Sequence, residues 1–515
     1  MSGKETTKEF WKRTPLNTLM NIIRTLVMSV VGIFLVPYYI DNLGLSAYGI
    51  IPLATTITSY VMIVSDSLTT ACARYTVLSI HNDDHVSETI NTAFFGILRG
   101  CIILIPVIIA ISILAPTVFN IDENGAAEVQ IMFFLILLSS LIIASTSSLL
   151  SVFNAFNKLY LIYLARMGNT IIQVGLIFLM FTAGTPSLIE VGASYLIASV
   201  AYLLIIIALA KRCYPPLKIK HRDYNKTIFK QMGTLGIWSV IFKFGNMLYI
   251  QASLVLINIF LGSEAGGGFA IISSLISMVH TACFSVTTSF EPLVFNDYAK
   301  DNLDELKRIL KCGIKFIAII FALPVAFIIV LSPEIITAWV GQQYTYLAIL
   351  ASIAMISDVI YCCNTVLESV PVAFARVKTI AILTLTFGMC NVVSATIALA
   401  IGCNLNTIMW IWLFWTIVFT CASMMYSECL LKTKRFFLLK PAVLGTILSF
   451  ILAFIIKTVT DIIPIPGNWF ALIPAIFIMM ALYLPFGFML MSKNEKTMIA
   501  SIMPNVIKKI ITKFI

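Results

Sequence analysis

The chain has 515 residues, 60% of them hydrophobic and only 11% charged, with a formal net charge of +10. A soluble domain carries about 25% charged residues, so an apolar surplus of this size must be covered by lipid. The positive balance does not mark a nucleic-acid binder, because it is concentrated in alternate loops between apolar spans.

The segment 1–15 is polar and basic (Lys4, Lys8, Lys12, Arg13). It does not read as a cleavable signal peptide, since the apolar run that follows is too long for one. Runs long enough to cross a bilayer lie near 16–40, 46–72, 90–115, 129–154, 159–183, 187–210, 233–261, 266–290, 311–332, 345–370, 378–402, 405–429, 438–460 and 468–491. Continuous apolar runs of about 20 residues satisfy their backbone internally only as helices. The expected fold class is therefore an all-α integral membrane protein with about fourteen transmembrane helices.

The basic residues fix an orientation. The N-terminus, the 211–230 loop (Lys211, Arg212, Lys218, Lys220, Arg222, Lys226, Lys230), the 300–315 stretch, the 431–440 loop and the C-terminal tail all carry Lys and Arg. The alternate loops near 41–46, 116–128, 184–190, 262–266, 333–344, 402–406 and 461–468 contain neither. This asymmetry places both termini in the cytoplasm, and removing any one span would destroy it. From Met498 to Phe514, apolar residues at helical spacing alternate with Lys508, Lys509 and Lys513, which predicts a helix lying on the inner leaflet.

The chain also repeats itself. Leu43-Gly44-x-x-Ala47-x-Gly49 recurs as Leu261-Gly262-x-x-Ala265-x-Gly267, an offset of 218 residues. Pro106-Val107 and Ser151-Val152-x-x-Ala155-Phe156 recur at the same offset, as Pro324-Val325 and Ser369-Val370-x-x-Ala373-Phe374. Each unit holds an even number of spans, six, so the two copies run in the same direction through the bilayer, the parallel-repeat plan of several transporters. The expected organisation is a six-helix lobe at 1–210, a basic cytoplasmic linker at 211–230 and a second six-helix lobe at 231–436. An extra helix pair follows at 437–492, then an amphipathic cytoplasmic tail at 493–515. Pro106 and Pro324 each interrupt the third helix of a lobe. A plain bend explains either alone, and their equivalence suggests a shared hinge.

Four basic residues, Arg24, Arg99, Arg166 and Lys243, fall inside predicted spans. Each costs roughly 2.5–3.5 kcal/mol at a helix centre, which implies a watery or protein-lined surrounding rather than lipid. All lie on odd-numbered spans at a similar depth in the inner half of the bilayer. Together they suggest a cationic vestibule open to the cytoplasm and suited to a phosphate or diphosphate headgroup. The competing account is that such side chains snorkel to the interface or pair with acids. It is the simpler one for Arg166 and stands level for Arg99. Arg24 and Lys243, deeper and nearly equivalent in the repeat, favour ligand binding. Among buried acids, Asp66 and Asp358 are candidates for coupling to a proton or sodium ion, with a static packing bond as the equal alternative for Asp358. Glu291 and Glu368 read as solvated near the inner surface.

Other chemistry is sparse. The eleven cysteines are scattered without ligand spacing and read as small core residues. His81-Asn82-Asp83-Asp84-His85 sits in a short loop and reads as solvated rather than metal-binding. There is no phosphate-binding loop and no extramembrane segment large enough for a nucleotide-binding domain. Neither a metal, a cofactor nor an enzymatic reaction is expected; a membrane-embedded glycan enzyme is the weak alternative from another class.

Asn42-Leu43-Gly44-Leu45-Ser46-Ala47-Tyr48-Gly49, Ser65-Asp66-Ser67-Leu68 with Ala73-Arg74-Tyr75, and Gly262-x-x-x-Gly266 resemble the polysaccharide flippases of the multidrug/oligosaccharidyl-lipid/polysaccharide exporter superfamily. Relatives often show Asp-Leu-Gly where this chain has Asp66-Ser67-Leu68. The resemblance implies a flippase that carries a polyprenyl-diphosphate-linked oligosaccharide from the inner to the outer leaflet by alternating access. It implies a prokaryotic plasma membrane, with the cationic residues on the diphosphate and the prenyl tail in lipid; a monomer is expected, though the residues do not fix the oligomer. A cation-coupled multidrug exporter of the same fold is the alternative; it would favour buried acids over the more numerous buried bases.

Overall fold

A computed structural model describes residues 14–60, 62–63, 86–119, 121, 123–156, 158–215, 224–288, 290–299, 301–374 and 376–502. Asp66, the 65–75 motif, the His81–His85 loop, much of the linker and the end of the tail lie outside the described residues.

The described chain is helical throughout, as uninterrupted apolar runs require. In order come α1 (Thr14–Leu43), α2 (45–60), α3 (Val86–Val118), α4 (Glu123–Thr146), α5 (Leu150–Ala155), α6 (Leu159–Ala183), α7 (Leu188–Cys213), α8 (Lys226–Leu261) and α9 (Ser263–Thr287). They continue as α10 (Glu291–Ala299), α11 (Leu303–Val340), a 3₁₀ turn (Gln342–Leu347), α12 (Ala348–Ile356), α13 (Asp358–Thr365) and α14 (Ser369–Ala373). The last five are α15 (Val377–Ala400), α16 (Leu405–Leu430), α17 (Leu439–Ile462), α18 (Trp469–Met489) and α19 (Lys493–Ile502). Among the described residues, eleven helices are long and apolar enough to span a membrane, or up to thirteen if each of two bent pairs is one span. The run expected at 46–72 extends past α2 onto undescribed residues. The architecture is the multi-pass helical one that the apolar periodicity predicts.

Contacts divide the chain into two compact units, Met1–Gly267 and Gly268–Ile515. In the first, α4 packs against α3 and α7, and α6 against α1 and α7. Phe153, Ile162, Tyr202 and Ile206 form part of a buried cluster there. In the second, α11 is the central helix, packed on by α12, α13, α17 and α18. It carries Pro324 within its helical stretch and leaves helical geometry at Leu331, two residues before Pro333. Large side chains on the outer faces of α17 and α18, such as Phe454, Phe477 and Leu482, are exposed, as lipid-facing surfaces must be.

The duplication holds in the backbone. Gly44 and Gly262 both end a helix at positive φ, +84° and +88°, a conformation that glycine adopts without steric cost. The bonds Gly44 N→Ile40 O and Tyr48 N→Gly44 O recur 218 residues later as Gly262 N→Asn258 O and Gly266 N→Gly262 O. Lys158 N→Phe153 O recurs as Arg376 N→Pro371 O, both 2.8 Å. A short helix follows a break in each copy, α5 after α4 and α14 after α13.

Inside the first unit, the two copies of the glycine motif meet. A Cβ on Gly49 would lie 2.6 Å from the Gly267 nitrogen and the Ser263 carbonyl oxygen, and one on Gly267 would strike the Leu45 carbonyl. The Ser46 and Ser263 hydroxyls bond to each other. Residues 45 and 49 therefore face the equivalents of 49 and 45, a two-fold arrangement of one motif with its own copy.

Five of the described cysteines are buried as expected, whereas Cys429 is exposed, because it lies on a face of α16 that no neighbour covers. Glu428, beside it, is buried; its carboxylate accepts from the Phe436, Leu438 and Leu439 amides and so shapes the turn into α17.

The described part of the tail is tied down at its start. Ser492 caps α19, exchanging hydrogen bonds with Glu495, and Lys315 Nζ of α11 donates to Glu495 Oε2 at 3.0 Å. Burial pushes the Glu495 carboxyl up, but the Ser492 amide and the Lys315 ammonium outweigh it and hold it below the usual 4.5. A carboxyl lowered in the folded state stabilises above its unfolded value and loses that stabilisation as pH falls through the folded one. Hydrogen exchange of residues 493–502 is accordingly expected to be slow at neutrality and to quicken progressively as pH falls from the ordinary glutamate value to the lowered one. In Lys315→Met, exchange should already be faster at neutral pH, with a smaller further change on acidification.

Candidate functional site

Two polar groupings stand out within the membrane-spanning helices, one in each unit, and the first lies on the seam between α1 and α6. Asn17, Asn21, Arg24 and Met28 recur on α1 at steps of four and three, one face of a helix. On α6, Tyr160, Tyr163, Arg166 and Thr170 form the matching stripe. The Asn17 side chain accepts from the Tyr160 amide at 2.9 Å, and the Thr170 hydroxyl donates to Met28 Sδ at 3.1 Å, which sets the register.

Within that seam the Arg24 guanidinium is half-buried, donates from Nη2 to Asn21 Oδ1 at 3.2 Å and lies 5.6 Å from the Tyr163 ring centre. Its Nε has no hydrogen-bond acceptor, and nearby on α6 the buried Asn169 Oδ1 has no donor. Arg166 sits close enough for its charge to repel that of Arg24. Among the described residues, no carboxylate forms an ion pair with either arginine. Two adjacent cations, one with an idle donor, form an arrangement that an anion would stabilise.

The other predicted cations go elsewhere. Arg99 lies 4.2 Å over the Tyr224 ring, at the end of the linker. Asn225 also bonds there to Glu88 and Thr92, and Phe229 fills the space over Gly96, so the face of α3 that carries Arg99 receives the chain as it enters α8. Lys243 is half-buried on α8, in the same compact unit as the three arginines. Glu291 is exposed, and Glu368 is half-buried and within repulsive range of it.

The second grouping surrounds Asp358. The helix 342–373 bends by 42° there, and Asp358 opens α13, where a helix N-terminus favours a negative charge. Asp358 is fully buried, and its Oδ1 lies 2.8 Å from His280 Nε2 of α9. The His280 ring stacks on Tyr361 at 4.5 Å. Asp358 Oδ2 and the adjacent Ser357 hydroxyl have no partner. The charge of Asp358 was visible in the sequence, whereas His280 was not singled out. The signal available was one of only four histidines, set within an apolar span. Among the described residues, no cluster of side chains could hold a metal ion.

Comparison with known proteins gives concordant likenesses. The family described as polysaccharide biosynthesis protein matches residues 43–349. An uncharacterized membrane protein, EpsK, of Bacillus subtilis (strain 168) is 23% identical over 387 residues, covering 74% of this chain and 76% of that protein. Among solved structures, an inward-facing multidrug resistance transporter of the MATE family and MOP superfamily superposes with a TM-score of 0.63 at 15% identity, covering 81% of this chain and 99% of that one. A MOP superfamily transporter from Pyrococcus furiosus, described as having a binding pocket of reversed polarity, gives 0.62 at 14% identity, covering 82% and 96%.

Proposed function

Because the chain belongs to the polysaccharide biosynthesis protein family, with a transporter fold of the MOP type, we propose that it flips a polyprenyl-diphosphate-linked oligosaccharide from the inner to the outer leaflet of a prokaryotic plasma membrane. The observation that carries this reading is the Arg24–Arg166 pair. Two like charges within membrane-spanning helices, with no carboxylate paired to either among the described residues, are costly alone and are neutralised by a diphosphate. Arg24 and Arg166 bind the headgroup, with Lys243 as a further cation, while Arg99 holds the linker entry at Tyr224. The prenyl chain remains in lipid, where no protein contact is needed. The two repeats, lobes at 1–210 and 231–436 joined by 211–230, provide alternating access, with the equivalent Pro106 and Pro324 as hinge positions. The basic loops and termini face the cytoplasm.

The test is direct. Purified protein in liposomes should accelerate the crossing of a fluorescent short-chain polyprenyl-diphosphate monosaccharide above the rate in protein-free vesicles, read by dithionite quenching. A rate no higher than in protein-free vesicles overturns the reading. The buried carboxylate of Asp358 favours one second reading, a cation-coupled exporter of organic cations. It is supported instead if the same liposomes move ethidium and leave the lipid probe untouched.

A further inference from the structure

We infer that His280 and Asp358 form a proton-binding site, loaded and emptied once per transport cycle. The inference deepens the transport reading by naming the coupling ion, and it rests on that reading only for the word transport.

The pair is not completed as a packing device would be. A buried carboxylate that serves only to join helices has both oxygens satisfied, because an idle acceptor in a dry interior is costly. Asp358 is fully buried, its Oδ1 faces the His280 Nε2, and its Oδ2 faces no donor at all. Ser357, the residue before it, has an idle hydroxyl at the same break between α12 and α13. With a neutral imidazole, the pair carries one negative charge, offset only in part by the N-terminus of α13; one further proton, on the carboxylate, makes it neutral. A pair this deeply buried exchanges a proton only in a conformation that admits water.

Among the described residues, no other charge near the pair replaces that proton. On the helices packed against α13, charged side chains lie at the ends. On α11, Lys315 is held by Glu495, and Glu334 stands near the far end; on α16, Glu428 is held by backbone amides. On α17, Lys440 is at the start and Lys457 pairs with Asp461. Helix α12 has no titratable group. Closer in are thiols and a phenol. Cys283 of α9 contacts the Cys362 carbonyl and Thr365, Cys363 donates to the Ile314 carbonyl, and Tyr361 lies against the imidazole. A sodium ion fits poorly, because a hard cation takes about six oxygens. Here an imidazole nitrogen already occupies one carboxylate oxygen.

The test uses the full-length protein and no glycan, so an error in the cargo leaves it standing. Infrared difference spectra recorded across pH should show a protonated-carboxyl band that grows on acidification. Asp358→Asn should abolish the band, and His280→Gln should move its midpoint. Replacing sodium chloride with choline chloride should change neither. If Asp358→Asn does not fold, Asp358→Glu should show the same band at a shifted frequency. An unaltered titration in the folded Asp358 variant, or a band that sodium displaces at constant pH, overturns the proposal.

Discussion

Arg24→Ala, at normal membrane levels, is expected to lose about 10- to 100-fold in flipping rate for the diphosphate-linked probe, the equivalent of one charge-assisted contact of roughly 1.5–3 kcal/mol. The reason is geometric. Arg24 already uses one nitrogen on Asn21, keeps Nε idle, and is held near Arg166, so the fork is preset for an anion before the anion arrives. Arg24→Lys should recover only part of the loss, because an ammonium keeps the charge and drops the two-pronged donor geometry. Arg166→Ala should be milder, since that side chain is exposed and its place is less tightly set. Equal rates in wild type and Arg24→Ala would remove the headgroup role from this seam.

Gly49→Val and Gly267→Val form the second large prediction. At each position the first added carbon meets backbone, not a flexible side-chain tip. Relief requires α2 and the start of α9 to separate. Such overpacking costs about 1–3 kcal/mol, and both variants should show a clear drop in apparent Tm with lost export. Gly100→Val on α3 is the control, since nothing lies within 4 Å of the added carbon. A Gly49→Val protein that melts and exports like wild type would show that the close approach has no role.

Much of this was legible from residue order alone. Span positions, the one-sided distribution of Lys and Arg and the 218-residue repeat all follow from local composition and spacing, which a linear reading measures directly. Asp358 was legible for the same reason, as a lone acid in an apolar run. What escaped were partnerships across helices. His280 is 78 residues from Asp358, and only the packing of α9 against the bend at 357 brings them together. Arg99 and Arg24 look alike in sequence, yet one stacks on Tyr224 and the other opens toward Arg166. Depth in the bilayer is encoded by position along a helix, but the rotation of each helix about its own axis is set by its neighbours. Lys243 shows the same limit, since the repeat assigns it to the second lobe and the contacts place α8 with the first unit.

The seam at Gly49 and Gly267 has an implication for ancestry. Because each copy of the motif presents both surfaces of the contact, a half-length chain bearing a single copy already holds everything required to make it. Two such chains, inserted in the same direction, could join through it. Fusing their genes would then preserve the joint while freeing the two copies of the motif to diverge.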